Sequence, residues 1–251
     1  MRNMRWLITV IAVAFFGAAS DALAGEAKLI SINFGPNAKT PIASALGLTG
    51  ANTWNLFPAI VTGTPLQYYD GKSSNATISQ WIASGTGSMS LRDNSFYESG
   101  AANPGYLLMR NYTYTYASTG SFSFSGLEPG QYNVYVYTDS AKTAINKLSA
   151  TVSGSEGTSY TAQIIGDDGS SYSTFVEGKN YLVLPVIVGL DGALTLTYTG
   201  NDLSSDDTGR IQGLELEPVP EASTLTMLMV GGAIVMIYIR RRTEKDDAAV
   251  A

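Results

Sequence analysis

The stretch Gly126-Leu127-Glu128-Pro129-Gly130-Gln131-Tyr132-Asn133-Val134-Tyr135-Val136-Tyr137 decides the fold. Its first part is a tight turn into a strand: Pro129 presets φ, and Gly130 permits a positive φ. Its second part alternates with period two. Tyr132, Val134 and Val136 face one way; Asn133, Tyr135 and Tyr137 face the other. Successive side chains of a strand point to opposite faces, so the pattern is that of a β-strand with one face toward a core.

The same period recurs on both sides of this stretch. Upstream, Ile30, Ile32 and Phe34 alternate within Lys28 to Phe34. Phe122 and Phe124 alternate with serines. Downstream come Leu148, Ala150 and Val152, then Tyr160, Ala162 and Ile164. Leu194, Leu196 and Tyr198 form another strand, and Ile211 to Leu216 reads as the last. Asp168-Gly169 and Asp191-Gly192 suit hairpin turns. Many strands joined by short turns predict an all-β chain, an antiparallel β-sandwich or jelly roll of two packed sheets. Tyr112, Tyr114 and Tyr116 form a stripe, read as one buried face with satisfied hydroxyls; the alternative is an exposed aromatic platform. Pro41 to Gly100 breaks the pattern. It is rich in Gly, Asn, Ser and Thr, and reads as long loops with a short helix near Ser79 to Ala83.

Composition removes several chemistries. The 251 residues contain no cysteine and no histidine. Disulfides, thiolate metal sites, a Ser-His-Asp triad and His-ligated zinc are therefore excluded. The net charge is −6, and the central Lys and Arg residues are scattered, which argues against nucleic-acid binding. Asp167-Asp168, Asp202 and Asp206-Asp207 are acidic clusters without the spacing of a calcium loop. Asp70, Asp93 and Glu98 are carboxylates that nothing in the sequence pairs for glycoside hydrolysis. The chain is expected to be no enzyme and to carry no metal or cofactor.

The two ends read as export signals. Arg2 and Arg5 precede the apolar run Trp6 to Phe16, and Ala22-Leu23-Ala24 places small residues at the positions that signal peptidase reads. Cleavage is expected between Ala24 and Gly25; the competing reading is an uncleaved N-terminal anchor. At the other end, Leu225 to Ile239 is apolar and Arg240-Arg241-Arg242 follow at once. Physically this is a span at the short end of the transmembrane range, with the arginines on the cytoplasmic side. The expected domains are residues 1–24 (signal peptide), 25–218 (β-sandwich) and 219–251 (sorting signal, with its span at 225–239 and basic cluster at 240–242).

Pro218-Val219-Pro220-Glu221-Ala222-Ser223-Thr224-Leu225 resembles the PEP-CTERM sorting signal of Gram-negative bacteria that secrete exopolysaccharide. That signal has a Pro-Glu-Pro motif preceded by Val, an apolar span and a basic cluster, in that order. Pro220 and Glu221 match the motif; Ala222 replaces its second proline. The resemblance implies that the membrane enzyme exosortase recognises Pro220 and Glu221 and removes the tail. The protein would be held briefly in the inner membrane, then released or attached at the cell surface or in the matrix.

The central domain carries a second resemblance. Ile32-Asn33-Phe34-Gly35, Trp54-Asn55, the turn and strand at Gly126 to Tyr137, and Ile211-Gln212-Gly213-Leu214 are similar to the galactose-binding-like sandwiches. Malectin-like domains and several carbohydrate-binding modules belong to that group. These motifs specify turns and core, so the resemblance implies a fold and no ligand residues. Sugar binding itself needs flat aromatic faces for stacking and a few amides or carboxylates for hydroxyls. The carbohydrate-binding candidates are Trp54, Asn55, Tyr68, Tyr69, Trp81 and Tyr97. The alternative role for each ring is packing within the core or a loop. The expected function is a non-catalytic surface or matrix protein associated with exopolysaccharide. A structural or adhesive protein acting through protein contacts is the alternative.

Overall fold

A computed structural model describes residues 28–36, 44–46, 53–85, 89–93, 106–115, 118–138, 147–154, 157, 159–165, 175–200 and 209–220. The signal-peptide residues Ala22, Ala24 and Gly25, and Glu221, the span and Arg240 to Arg242 lie outside the described residues. So do Tyr97, Glu98, Tyr116 and the Asp168-Gly169 turn. Among the described residues no helix is long and apolar enough to cross a membrane. The strands belong to the compact unit Glu26–Val219.

The architecture is nearly all β. Strands β1 (Ile30–Phe34), β2 (Asn55–Phe57), β8 (Gly130–Tyr137), β11 (Tyr181–Val188) and β14 (Gly213–Pro218) form one sheet in the order β11-β8-β14-β1-β2. Strands β3 (Thr64–Gln67), β4 (Ser73–Gly85), β7 (Ser118–Ser125), β9 (Lys147–Gly154), β10 (Ser159–Ile165) and β12 (Leu194–Gly200) form a six-stranded sheet in the order β10-β9-β12-β7-β4-β3. Strands β5 (Met89–Asp93), β6 (Asn111–Thr115) and β13 (Gly209–Ile211) make a smaller third sheet. A single helical turn, α1 (Tyr106–Met109), precedes β6. Among the described strands every pairing is antiparallel except that of β1 with β2.

The two larger sheets share one core. Ile32, Phe34, Val134, Val136 and Leu214 come from the five-stranded sheet; Ile78, Phe122, Phe124, Val152 and Leu196 come from the six-stranded one. These are the inward members of the alternating runs. Phe34 stacks on Phe122 at 5.0 Å, and Phe122 on Tyr198 at 5.3 Å. Each fully buried apolar side chain of this size contributes about 1.5–3 kcal/mol.

Four local expectations change. Residues 41–100 are not mainly loops: they hold β2, β3, β4 and β5, and Ser79 to Ala83 lie inside β4 rather than in a helix. Ala76, Ile78 and Gln80 are the buried members of β4, and its other face carries Asn75, Thr77, Ser79 and Trp81. A weakly apolar inner face hid the alternation. Asp191-Gly192 does not close a hairpin: it carries the chain from β11 to β12, which lie in different sheets. Gly192 has φ 64°, and a Cβ there would sit 2.5 Å from the Leu127 carbonyl oxygen. The Leu127 N–H donates to Gly192 O at 3.1 Å, so this crossover locks against the turn that opens β8.

The closing run is also two strands. At Gln212 the chain leaves the small sheet as β13 and enters the five-stranded sheet as β14. Gln212 N–H donates to Tyr137 O at 2.9 Å, and its carbonyl accepts from Phe34 N–H at 3.0 Å. Finally, β6 is covered on both sides. Tyr112 is buried and Tyr114 half-buried, but the intervening Thr113 and Thr115 are more deeply buried than either.

Candidate functional site

The sequence candidates separate into three places. Trp54 and Tyr69 are buried with Leu29, Leu108, Met109 and Tyr137 in a second hydrophobic cluster. Their rings are 6% and 3% exposed, which leaves no open face for a sugar to stack on. Asn55 is buried beside them. Its amide nitrogen donates to Ser31 O (3.0 Å) and Gln67 O (2.9 Å), and its carbonyl accepts from Gln67 N–H (2.8 Å). Both of its N–H groups are thus spent on joining three segments of backbone.

Tyr68 is half-buried at the rim, its hydroxyl donating to Glu128 at 3.3 Å. Lys28 pairs with the other Glu128 oxygen at 2.6 Å. Trp81 is different: it stands 41% exposed on β4, on the outer face of the six-stranded sheet. Asp70 is exposed and bound to Lys72 at 2.6 Å; hydrogen bonds from Lys72 hold its carboxyl below the usual range. Among the described residues, no group of acidic side chains could hold a metal ion.

The structure assembles a further cluster on the outer face of the five-stranded sheet. Register builds it. Glu215 of β14 stands opposite Tyr135 of β8 and Ser31 of β1, while Glu217 stands opposite Asn133. Tyr181 of β11 stands opposite Tyr137. These are the outward members of strands whose inward members fill the core. The Tyr135 and Tyr181 rings stack at 6.1 Å with 26° between planes; Phe175 meets Tyr137 edge-on at 5.4 Å.

The two carboxylates have different surroundings. Glu215 is wholly buried. Tyr137 donates its hydroxyl to Glu215 Oε2 in a short hydrogen bond, and Ser31 donates to Oε1 at 3.4 Å. Ala45 N–H in turn donates to the Tyr137 hydroxyl at 3.0 Å. Burial pushes the Glu215 carboxyl up to about 7; the hydrogen bonds from Tyr137 and Ser31 oppose that shift, and Glu217 adds to it. Burial, then the Glu215 charge, raises the Tyr137 phenol well above its ordinary value.

Glu217 is only half-buried. Its Oε2 accepts from Tyr135 OH at 3.0 Å and from Asn133 Nδ2 at 3.2 Å. A carboxylate, an amide and a phenol therefore converge beside a stacked, half-buried tyrosine pair. That set can hydrogen-bond vicinal hydroxyls while a ring face covers C–H groups. The alternation in the sequence puts Tyr135 and Tyr137 on the face opposite Val134 and Val136 but does not single out Tyr181, Glu215 or Glu217. The available signal was two glutamates alternating with leucines in Gly213-Leu214-Glu215-Leu216-Glu217-Pro218.

The sequence matches no protein-family model, and no curated protein matches it. Solved structures with partial likeness include the plant peptide RALF23 in complex with FER and LLG2, at 14% identity and a TM-score of 0.44, covering 77% of this chain and 40% of that chain. A family 35 carbohydrate binding module from Clostridium thermocellum matches at 15% identity and a TM-score of 0.33, over 55% of this chain and 91% of the module. An exo-β-1,3-galactanase from Phanerochaete chrysosporium with galactose matches at 16% identity and a TM-score of 0.28, over 62% of this chain and 34% of that one. This chain covers two fifths or less of the plant and fungal chains.

Proposed function

We propose that this chain is a non-catalytic exported protein that associates with extracellular polysaccharide through its β-sandwich. The observation that carries the proposal is the half-buried Tyr135–Tyr181 stack beside Glu217 and Asn133. It offers a sugar one aromatic surface and several polar partners, held on strands rather than on loops. Glu215 lies too deep to touch a ligand and fixes Tyr137 beneath the site. Exosortase removal of the tail at Pro220-Glu221, signal-peptide cleavage after Ala24, and residence at the surface or in the matrix complete the reading. They rest on the order of motif, span and basic cluster at the C-terminus, and on the leader at the N-terminus.

A second reading, adhesion through protein contacts, has its own observation. Tyr160 and Ile187 are exposed beside a shallow depression of about 280 Å³ that Pro185 and Gln131 also line, and Leu190 is exposed nearby in sequence. This edge of β10 and β11 suits a protein partner better than a sugar. Titration of the full-length chain with polysaccharide fragments, alongside Tyr181→Ala and Glu217→Gln, separates the two. Binding that both substitutions weaken supports the sugar site; no binding by folded wild type favours adhesion.

A further inference from the structure

The outer face of the six-stranded sheet is a lattice of hydroxyls. One row crosses five adjacent strands as Thr161, Thr151, Thr197, Ser121 and Trp81. The next row crosses the same strands as Ser159, Ser153, Thr195, Ser123 and Ser79. Neither row contains a charged side chain. Within rows the hydroxyls pair: Thr151 with Thr161 at 2.7 Å, and Ser153 with Ser159 at 3.5 Å. Ser121 alone is wholly buried, its hydroxyl turned to Leu196 O at 3.4 Å. Trp81 ends its row as the one large aromatic of the two rows, and it is exposed.

From this arrangement we infer that the outer face of the six-stranded sheet, with Trp81 at its border, is a docking surface for a neutral polysaccharide chain lying flat across the strands. The inference rests on the polysaccharide-binding reading above, but on a different face and a different polymer property.

The chemistry selects this occupant. Nucleic acid and anionic lipid both require cations, and these rows hold none. An acidic polysaccharide requires them too. A protein interface centres on clustered apolar or aromatic anchors, and here Trp81 stands alone among hydroxyls. A neutral glycan matches on both counts. Ser121 and Thr197 donate their hydroxyls to Leu196 O and Thr151 O; the other Ser and Thr hydroxyls of the rows can donate and accept, as each sugar hydroxyl can, and an indole face covers the C–H face of a pyranose. Strands spaced about 4.8 Å apart present the hydroxyls as a regular, rigid array. Single contacts of this kind are weak, so affinity must accumulate along a polymer.

The test uses the full-length chain purified in mild detergent, in sedimentation with microcrystalline cellulose and in affinity gels containing hydroxyethyl cellulose or alginate. Trp81→Ala and the double variant Thr151→Val/Thr197→Val are compared with wild type. The Thr-to-Val changes remove hydroxyls at nearly constant shape and strand preference, and an unchanged melting temperature certifies the fold. The expected result is retention by the neutral polymers and not by alginate, with at least about tenfold weaker binding for Trp81→Ala, a loss of about 1.4 kcal/mol. The double variant is expected to weaken binding in the same direction. Tyr181→Ala should leave retention on cellulose largely intact.

Four results would overturn the inference. Wild-type retention unchanged in both face variants but lost in Tyr181→Ala would leave the sugar site standing and remove this face. Retention on alginate alone would contradict the neutral partner. A dimer that Trp81→Ala dissociates, with no retention on cellulose, would assign the face to a second copy. Folded wild type that binds no polymer and no fragment would overturn both this inference and the sugar-binding reading.

Discussion

At the residue scale, the buried carboxyl of Glu215 governs the most specific expectation. Its folded value is about 7 against an ordinary 4.5. Between those values the folded chain keeps a proton that the unfolded chain has released, so stability falls as pH rises through that window. The difference is on the order of 3 kcal/mol at and above neutral pH. Wild type should therefore melt at a higher temperature at pH 5 than at pH 8, and Glu215→Gln should flatten the profile. The depressed carboxyl of Asp70 acts only at lower pH, outside this window. A wild-type melting temperature that rises from pH 5 to pH 8, or a slope that survives in Glu215→Gln, would remove this role. Trp54 supplies a second expectation. Because it is packed with Leu29, Tyr69 and Leu108, Trp54→Ala should cost about 3–5 kcal/mol of stability in chemical denaturation. It should leave the sugar affinity of the remaining folded protein near wild type; a pure affinity loss at unchanged stability would show that the ring meets the ligand.

At the element scale, turns do as much as strands. Gly192 and the turn that opens β8 meet where the chain passes between sheets. Gly192→Ala would add a side chain at φ 64° and force it against the Leu127 carbonyl. The expected cost is about 1–3 kcal/mol, read as a shift in the denaturation midpoint; a neutral or stabilising effect would contradict the locked crossover. Turn chemistry was legible in the sequence, but turn destination was not. Asp-Gly fits a tight reversal equally well within one sheet or between two. Likewise, the alternation in β8 was plain because valines and tyrosines mark its faces, whereas β4 concealed its alternation behind Ala76 and Gln80. Strand identity could be read where the inner face is strongly apolar and was lost where polar residues are buried.

At the scale of the whole molecule, the two sheets divide the surface into chemically different faces. One carries buried and half-buried carboxylates among tyrosines; the other carries uncharged hydroxyl rows. Cross-strand register creates both, and register depends on pairings between distant segments. From the sequence alone, exposed Trp81 could not be told from buried Trp54 and Tyr69, and Glu215 and Glu217 did not stand out, because their partners lie about eighty residues away. The terminal signals, by contrast, are local patterns. If they act as proposed, replacing Pro220-Glu221 with Ala-Ala should leave the tail attached and the protein in the membrane fraction. Tail removal at the normal rate would exclude exosortase recognition.

The most direct test is binding of the purified full-length chain to the producing organism's own exopolysaccharide, with Tyr181→Ala and Glu217→Gln beside it. The expected result is saturable binding by wild type and at least about tenfold weaker binding in each variant at unchanged melting temperature. Well-folded wild type that binds none of that polymer would contradict the account and direct the search to protein partners at the β10–β11 edge.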